Sequence, residues 1–281
     1  MGNEVSQTVA RGAPAGRGRL VDRARRLVKA AVVARGRDVT EASAGRSCLV
    51  VAPHPDDETL GCGVTILRKL DAGTPVKVVI ATDGRRSSDS RLLSPEELVR
   101  IRRREALEAT GRLGLGPEDV VFLDFEDQGL ADRLPELTER LAAVVADFRP
   151  EELLVASVLD HHPDHHAVGQ AARRLLDAGS FAGHLSEYPM GFWRTLPWRD
   201  RPRGAARTAW SFLSGSVATV ARLRPELVRT DGYLDRKRHV LDAYASQLTN
   251  LTGEAEWWTL DDPFLEHFLG PYEVHLPVRR S

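Results

Sequence analysis

Two short segments of the chain concentrate imidazole and carboxylate side chains. The first is His54-Pro55-Asp56-Asp57-Glu58, and the second is His161-His162-Pro163-Asp164-His165-His166. Each follows an apolar run, residues 48–52 in the first case and residues 153–156 in the second. Charged residues after a buried strand are typical of the catalytic edge of an α/β enzyme. We therefore interpret the two segments as one divalent-metal site with an attached acid/base pair.

The spacing within the segments indicates which residues bind the metal. His54 and Asp57 are three residues apart on a strand-to-helix turn, so both side chains can point to one place. His165 would join them from the turn after the other strand. Two imidazoles and one carboxylate form the ligand set of a catalytic zinc, which leaves one position open for water. Fe²⁺ and Mn²⁺ are further candidates for these ligands, and spacing alone leaves His161 and His166 open as alternatives that we place outside the set.

Hydrolysis at such a site also needs groups that move protons. Zinc lowers the pKa of a bound water to about 7, and Asp56, beside the ligand Asp57, is the candidate general base. His162, three residues before His165, is the candidate that stabilises the oxyanion and protonates the leaving amine. We expect Asp164 to fix the tautomer of His162.

The elements that must position these residues alternate along the chain. Apolar runs predict strands at 47–53, 76–81, 120–125, 153–158 and 184–190. Helical patterns lie at 58–72, 95–113, 134–148, 167–178, 205–223 and 235–248, with a loop at 199–204. This alternation predicts an α/β fold, a Rossmann-like three-layer sandwich with a mostly parallel sheet and a C-terminal α/β extension. In the common doubly wound order the first and fourth strands are neighbours, so both segments meet at one edge.

Length, charge and cysteine content exclude several classes of protein. The 281 residues suffice for one large domain, and a net charge of -1 gives no reason to expect a nucleic-acid partner. No apolar run is long enough for a transmembrane helix, and residues 1–16 lack the apolar core of a signal peptide. Cys48 and Cys62 form no CxxC pair, so we expect no disulfide framework and a cytoplasmic location.

The N-terminus departs from this balanced charge. Residues 1–45 contain nine Arg or Lys and four Asp or Glu, and apolar residues recur there at helical spacing. We predict a basic arm with one solvated helix, and a helix in peripheral contact with a membrane is the alternative. The pattern weakens after residue 190, and we expect residues 191–281 to shape the substrate site.

The first segment and its surroundings resemble a known family. Residues 53–63 read Pro-His-Pro-Asp-Asp-Glu-Thr-Leu-Gly-Cys-Gly and closely resemble the first motif of the PIG-L/LmbE-like zinc-dependent N-acetylglucosaminyl deacetylases. Residues 162–165 resemble the second motif. Other stretches that fit are residues 81–84, 102–105, 127–130 and 237–247, so the resemblance spans roughly residues 46–270.

The resemblance implies zinc-dependent removal of an N-acetyl or other N-acyl group from an N-acetylglucosamine-like amino sugar or its conjugate. The matching family positions assign the metal and proton-transfer roles to the same six residues as above. The expected partner is therefore a small N-acetylated sugar or glycoconjugate. The basic N-terminus and the part after residue 190 depart most from the family pattern.

Asp83 and Arg85 follow the second predicted strand, where side chains can reach a ligand beside the metal. An arginine there suits a sugar hydroxyl or a phosphate. We treat both as candidate substrate-binding residues, with a solvated loop as the alternative.

Three other functions fit part of the pattern. An amidase acting on a non-sugar or thiol-conjugate amide would use the same residues. A non-haem iron oxygenase also uses two His and one carboxylate, but Asp56 would have no role in it. A catalytically silent sugar-binding protein would keep the fold without needing an intact base and ligand set.

Overall fold

The computed structural model describes residues 15–88, 90–195 and 220–280. Its strands are β1 (Arg37–Asp38), β2 (Cys48–Ala52), β3 (Val76–Thr82), β4 (Val120–Phe125), β5 (Glu152–Ala156), β6 (His184–Tyr188), β7 (Glu226–Arg229) and β8 (Tyr272–Pro277). Its helices include α1 (Ala15–Val33), α2 (Thr40–Ala44), α3 (Asp57–Asp71), α4 (Pro95–Leu113), α5 (Leu134–Phe148), α6 (Pro163–Asp177), α7 (Phe192–Thr195), α8 (Leu234–Leu241), α9 (Ala245–Leu248) and α10 (Asp262–Leu265). Residues 1–14 of the predicted arm, the predicted loop at 199–204 and most of the predicted helix at 205–223 lie outside the described residues.

The strands form one mostly parallel sheet in the order β1-β7-β8-β6-β5-β2-β3-β4. Strand β8 runs antiparallel to both of its neighbours, β6 and β7. Strand β2 lies between β3 and β5, with Val50 opposite Val78 on one side and Leu154 on the other. The predicted adjacency of the first and fourth strands is confirmed, and the carboxyl ends of β2 and β5 lie side by side.

Burial on both faces explains why the central strands β2 and β5 are apolar apart from Glu152 at the start of β5. Every residue of β2 and β5 is buried. Along β2, Val50 packs on one face in a cluster that includes Leu60 and Ile66 of α3. Val51 packs on the other face in a cluster that includes residues of α5 and α6. The sheet is therefore the middle of three layers, which confirms the predicted α/β sandwich.

Helix α6 begins at Pro163, four residues before the predicted start at residue 167. Proline lacks a backbone N–H but fits the first position of a helix, where that N–H has no helical partner. Residues 163–166 of the second polar segment are therefore helical and do not form a loop. As a result, Asp164 and His165 lie in the first turn of α6.

The single helix predicted at 235–248 is two helices, α8 and α9, separated at residues 242–244. Tyr244 is buried at this break, and its hydroxyl donates a hydrogen bond to Glu58. The contact draws the chain out of a continuous helix. Tertiary packing thus overrides the local helical pattern.

Both ends of the chain add to the same sheet. Strand β1 pairs with β7, and β7 and β8 extend the sheet beyond β6, which confirms the C-terminal α/β extension. In α1, Val32 is buried against the core, whereas Leu27 is 65% exposed. The division of the chain at residues 45 and 190 stays a prediction. None of the described helices is long and apolar enough to cross a membrane.

Candidate metal centre and active site

The candidate site lies where the ends of β2 and β5 meet. His54 follows β2, Asp57 is the first residue of α3, and His165 lies in the first turn of α6. The Oδ2 atom of Asp57 is 3.2 Å from Nδ1 of His54 and 3.4 Å from Nε2 of His165. The three residues expected to bind a metal are therefore close together and aimed at one another.

The two distances from Asp57 Oδ2 suit neighbouring ligands of a single cation. With metal–ligand bonds of about 2.0–2.1 Å, neighbouring ligand atoms of a tetrahedral zinc site are about 3.3 Å apart. The two distances from Asp57 Oδ2 lie on either side of this value. The side chains of Asp57 and His165 are buried and that of His54 is nearly so. The residues present therefore fit a zinc ion, and imidazole with carboxylate also suits iron.

The other nitrogen of each imidazole faces a carboxylate. Nδ1 of His165 is 2.9 Å from Oδ2 of Asp160. Nε2 of His54 is 3.3 Å from Asp127 and 3.3 Å from Asp164. Metal-binding histidines characteristically donate their second ring N–H to such a partner, which orients the ring and selects the tautomer. In this arrangement Nδ1 of His54 and Nε2 of His165 are the atoms left for a cation.

Asp164 differs from its expected role as the residue that fixes the tautomer of His162. Its carboxylate accepts hydrogen bonds from the backbone N–H groups of Gln128 at 2.7 Å and Leu130 at 3.1 Å, and it faces His54. The contact with His162 is instead made by the backbone, because the N–H of Asp164 donates to Nδ1 of His162 at 3.2 Å. The loop after β4 draws the carboxylate toward His54, which the sequence spacing of the second segment does not reveal.

Two groups of side chains in the described part of this site have metal-ligand spacing, and neither includes Asp57. Ring nitrogens of His54, His162 and His165 lie within 4.8 Å of one another. Donor atoms of His54, Asp127, His162 and Asp164 do so as well. All these groups share His54, so they describe one site with several possible ligand sets.

Electrostatics within the site favour an ionised Asp57. Burial disfavours its charged form, but the imidazoles of His165 and His54 outweigh burial and lower the pKa of Asp57 to about 2. Burial also opposes protonation of His54, yet the carboxylates of Asp127, Asp164 and Asp57 raise its pKa well above the usual range. The carboxylates of the site therefore stabilise a positive charge placed among them.

Asp56, the expected general base, has an unusual backbone conformation. Its φ of 117° and ψ of -28° are in the left-handed region, which a residue other than glycine adopts only under constraint. The constraint comes from its neighbours. Its N–H donates to Glu58 Oε2 at 3.1 Å, and Arg102 donates both to its carboxylate at 3.1 Å and to the carbonyl of Pro55.

This environment adjusts the proton affinity of Asp56. Burial raises its pKa to about 7, the carboxylates of Asp57 and Glu58 add to the rise, and the guanidinium of Arg102 opposes it. Arg102 is itself fully buried and is held by Ser246 and Glu105. A carboxylate with a pKa near the operating pH is well suited to act as a general base.

His162 sits beside both candidate metal-binding imidazoles. Its ring centre is 4.6 Å from that of His54 and 5.1 Å from that of His165. Burial, followed by the charges of these two histidines, lowers the pKa of His162 to about 3. Because Nδ1 accepts the backbone N–H of Asp164, a neutral His162 carries its proton on Nε2.

Asp83 and Arg85 lie at the end of β3 and are bonded to each other. Nε of Arg85 donates to Oδ2 of Asp83 at 2.7 Å, and the backbone N–H of Asp127 donates to Oδ1 of Asp83 at 3.3 Å. Asp83 is buried, whereas Arg85 is partly exposed. The pair thus links the loop after β3 to Asp127, which in turn contacts His54.

The remaining histidines and the cysteines lie outside the site. His161 and His166 are exposed, as expected from their place outside the ligand set. Cys48 and Cys62 are free and buried in the core. A Cβ atom on Gly61 would clash with the Tyr188 ring, so close packing explains this glycine.

The spacing argument gave no role to three residues that contact the candidate site residues, although two of them lie in the family-like stretches 102–105 and 127–130. Asp160 contacts His165, Asp127 contacts His54, and Arg102 contacts Asp56. Asp160 and Asp127 belong to short segments after strands, a position that could have marked them. Arg102 lies within α4. The helical spacing of α4 does not indicate that the Arg102 side chain contacts Asp56.

Comparison with known proteins gives this geometry its context. Residues 49–176 match the family model of PIG-L, described as GlcNAc-PI de-N-acetylase. The chain carries a PIG-L family domain. A probable N-acetyl-alpha-D-glucosaminyl L-malate deacetylase 2 of Bacillus cereus is 31% identical over 137 residues, which are 47% of this chain and 61% of that protein. The chain thus spans less than two thirds of this relative's length.

A second relative aligns over a longer stretch. The 1D-myo-inositol 2-acetamido-2-deoxy-alpha-D-glucopyranoside deacetylase of Kribbella flavida is 26% identical over 257 residues, covering 73% of this chain and 84% of that protein. Both relatives are deacetylases by name, that is, enzymes that hydrolyse an amide bond.

The solved structures extend the likeness beyond the PIG-L domain itself. The zinc-inhibited form of the teicoplanin deacetylase Orf2 aligns with a TM-score of 0.61 over 84% of this chain and 98% of that chain. At 17% identity this likeness concerns the fold alone. It confirms the predicted α/β fold class.

Proposed function

We propose that this protein is a zinc-dependent hydrolase that removes an N-acetyl or other N-acyl group from an N-acetylglucosamine-like amino sugar or its conjugate. The observation that supports it best is the position of Asp57 Oδ2, 3.2 Å from His54 Nδ1 and 3.4 Å from His165 Nε2. Asp56, beside this cluster, adds a carboxylate suited to proton transfer. The deacetylase names of the relatives supply the reaction class.

Our choice of ligands is His54, Asp57 and His165. His162 is the less suitable ligand, because Nδ1 already accepts a backbone hydrogen bond. Asp127 and Asp164 are also less suitable, since they accept backbone N–H groups and face the far nitrogen of His54. In the chosen set both imidazoles keep a nitrogen free for the metal and have a carboxylate behind them.

Zinc held by these residues would supply Lewis acidity, which lowers the pKa of water to about 7 and polarises an amide carbonyl. Asp56 accepts the proton of the attacking water. Its pKa of about 7 lets it take this proton at neutral pH and return it to the amide nitrogen as the C–N bond breaks. The products are then acetate and a free amine.

His162 stabilises negative charge on the carbonyl oxygen in this proposal. Its lowered pKa keeps the ring neutral, and its backbone contact leaves the proton on Nε2. A neutral N–H donor in a buried site is suited to binding a developing oxyanion. This favours the stabilising role over donation of a proton to the amine, for which a neutral imidazole is a weak acid.

Asp83 and Arg85 are our candidates for contact with the sugar. Asp83 orients Arg85 and connects it to Asp127. The partly exposed guanidinium keeps N–H groups available for a hydroxyl or an anionic group of the conjugate. The relatives act by name on a malate and an inositol conjugate of the amino sugar, so both are test compounds here.

The proposal is tested by measuring acetate release from N-acetylglucosamine and its malate and inositol conjugates with zinc added. We expect release from at least one compound, loss of release after removal of metal with a chelator, and recovery with zinc. Asp56→Asn should slow release about 10²–10⁴-fold, whereas Asp147→Asn, at an exposed position on α5, should not slow it. A folded, zinc-loaded protein that releases no acetate from any of them would contradict the proposal.

A further inference from the structure

Asp160 is a buried acid for which the proposed mechanism has no direct use. It lies between β5 and α6, and its carboxylate contacts one side chain and two backbone groups. Oδ2 is 2.9 Å from Nδ1 of His165. Oδ1 accepts the N–H of Phe192 at 2.7 Å, and the N–H of Met190 lies 3.2 Å from Oδ1 and 3.1 Å from Oδ2.

We propose that Asp160 is a positioning residue that holds the proton of His165 on Nδ1 and so keeps Nε2 available for the cation. This inference rests on the metal site proposed above. A carboxylate is only an acceptor, and a neutral imidazole has one donor and one acceptor nitrogen. The nitrogen facing Asp160 must therefore donate, which leaves the lone pair of Nε2 directed toward Asp57.

A purely structural role would be to hold the segment after β6, where Met190 and Phe192 lie. The two roles can be separated because they depend mainly on different oxygens. Phe192 needs an acceptor at Oδ1, whereas His165 contacts Oδ2.

Asp160→Asn exploits this difference. The amide oxygen of the new side chain should stay at the Oδ1 position, since the N–H of Phe192 requires an acceptor there. Its NH₂ group then faces His165, which must accept at Nδ1 and carry its proton on Nε2. The substitution thus preserves the contacts of Phe192 and Met190 with the Oδ1 position and reverses the tautomer.

The experiment measures zinc affinity of the full chain by competition with a chelator. We expect Asp160→Asn to bind zinc about 10–100-fold more weakly than the wild type, the range found when a partner behind a ligand is removed. The unfolding temperature of the metal-free variant should stay close to that of the metal-free wild type.

Glu187→Gln is the matched control. Glu187 is buried and holds the same loop, since its Oε2 accepts from Ser157 Oγ at 3.0 Å and from the Val158 N–H at 3.3 Å. Within the described residues its hydrogen bonds reach no histidine of the site. The zinc affinity of the Glu187→Gln variant should therefore equal that of the wild type.

Wild-type zinc affinity in Asp160→Asn, together with loss of zinc in His165→Ala, would overturn the inference and leave the metal site intact. Zinc binding without acetate release by the wild type would contradict the proposed function and leave the inference standing. A wild type that binds no zinc would overturn both.

A second measurement does not depend on whether the variant folds. In the zinc-loaded wild type with ¹⁵N-labelled histidine, long-range ¹H–¹⁵N spectra report which ring nitrogen carries the proton. We expect the proton of His165 on Nδ1. A proton on Nε2 would overturn the inference.

Discussion

The turn after β2 delivers two proposed metal ligands and the turn after β5 delivers one, each with a proposed catalytic residue, but their backbones differ. In the first turn Asp56 has a φ of 117°, in the left-handed region. In the second, His162 has a φ of -70° and a ψ of 128°, an extended conformation that leads into Pro163 and a regular helix.

The spacing of the paired residues explains this difference. His162 and His165 are three residues apart, so a regular helix start brings them to one side. Asp56 and Asp57 are adjacent, and adjacent residues on a regular helix start diverge. A constrained backbone is therefore needed to aim one carboxylate at the metal position and the other at a neighbouring water.

The support for the two turns differs accordingly. Arg102 of α4 and Glu58 hold the first turn, and Tyr244 from the break between α8 and α9 in turn contacts Glu58. The second turn starts a regular helix, in which Asp160 contacts His165. The backbone of the first turn thus depends on distant packing, whereas the backbone of the second follows a regular helix start.

The largest effect should come from removing the ligand of the second turn. His165→Ala should weaken zinc binding by more than about 100-fold, beyond the range for loss of a partner behind a ligand. Zinc titration against a chelator measures this. His161→Ala and His166→Ala, at exposed neighbouring positions, should bind zinc as the wild type does. Unchanged zinc content in His165→Ala would mean that another histidine of this turn is the ligand.

Removing the base of the first turn should separate binding from turnover. Asp56→Ala should keep its zinc and lose about 10²–10⁴-fold in kcat, because general base catalysis contributes this much. Metal analysis and acetate release on the same preparation provide both values. Loss of metal in this variant would show that the two adjacent acids have been assigned the wrong way round.

The support of the first turn should appear in the pH dependence. The base form of Asp56 is needed, so kcat/KM should fall as the pH drops below about 7. Arg102 opposes the rise in the pKa of Asp56, so Arg102→Met should raise that pKa and move the acid limb to higher pH. Activity at pH 7 should fall about tenfold and recover in more alkaline buffer.

Arg102→Lys is the control for this experiment, because it keeps a positive charge beside Asp56. Its pH profile should lie closer to that of the wild type. An Arg102→Met profile that drops equally at every pH would show that Arg102 affects something other than the protonation of the base.

The smallest effect should be on stability, with opposite signs in the two turns. Glycine adopts a φ of 117° without steric cost, so Asp56→Gly should be more stable than Asp56→Ala by about 1 kcal/mol. At His166, exposed in the first turn of α6, the alanine variant should instead be more stable than the glycine variant by about 0.5–1 kcal/mol. Chemical unfolding of the metal-free proteins measures both differences. The same sign at both positions would contradict the proposed strain at Asp56.

The sequence allowed the central fold and the grouping of the main site residues to be predicted. The apolar runs that become β2 and β5 are short and fully buried, and the doubly wound order makes them neighbours. That order alone predicts that His54, Asp57 and His165 lie near one edge. The chemistry of the residue types then suggests a metal and a base.

The contacts that orient these residues could not be predicted in the same way. Asp164 faces His54 because backbone groups of Gln128 and Leu130 draw it there, and neither is near it in sequence. Similarly, Tyr244 interrupts a helical pattern to reach Glu58. Such contacts depend on how distant segments pack, which periodicity and spacing do not encode.

The proposed function requires one cation bound between the two turns, with Asp56 left free beside it. Anomalous diffraction at the zinc edge from crystals of the zinc-loaded protein tests this directly. We expect one zinc bonded to Nδ1 of His54, an oxygen of Asp57 and Nε2 of His165, with no bond to Asp56. Zinc bound by His162 and Asp164 with Asp57 unbound, or directly by Asp56, would contradict the account.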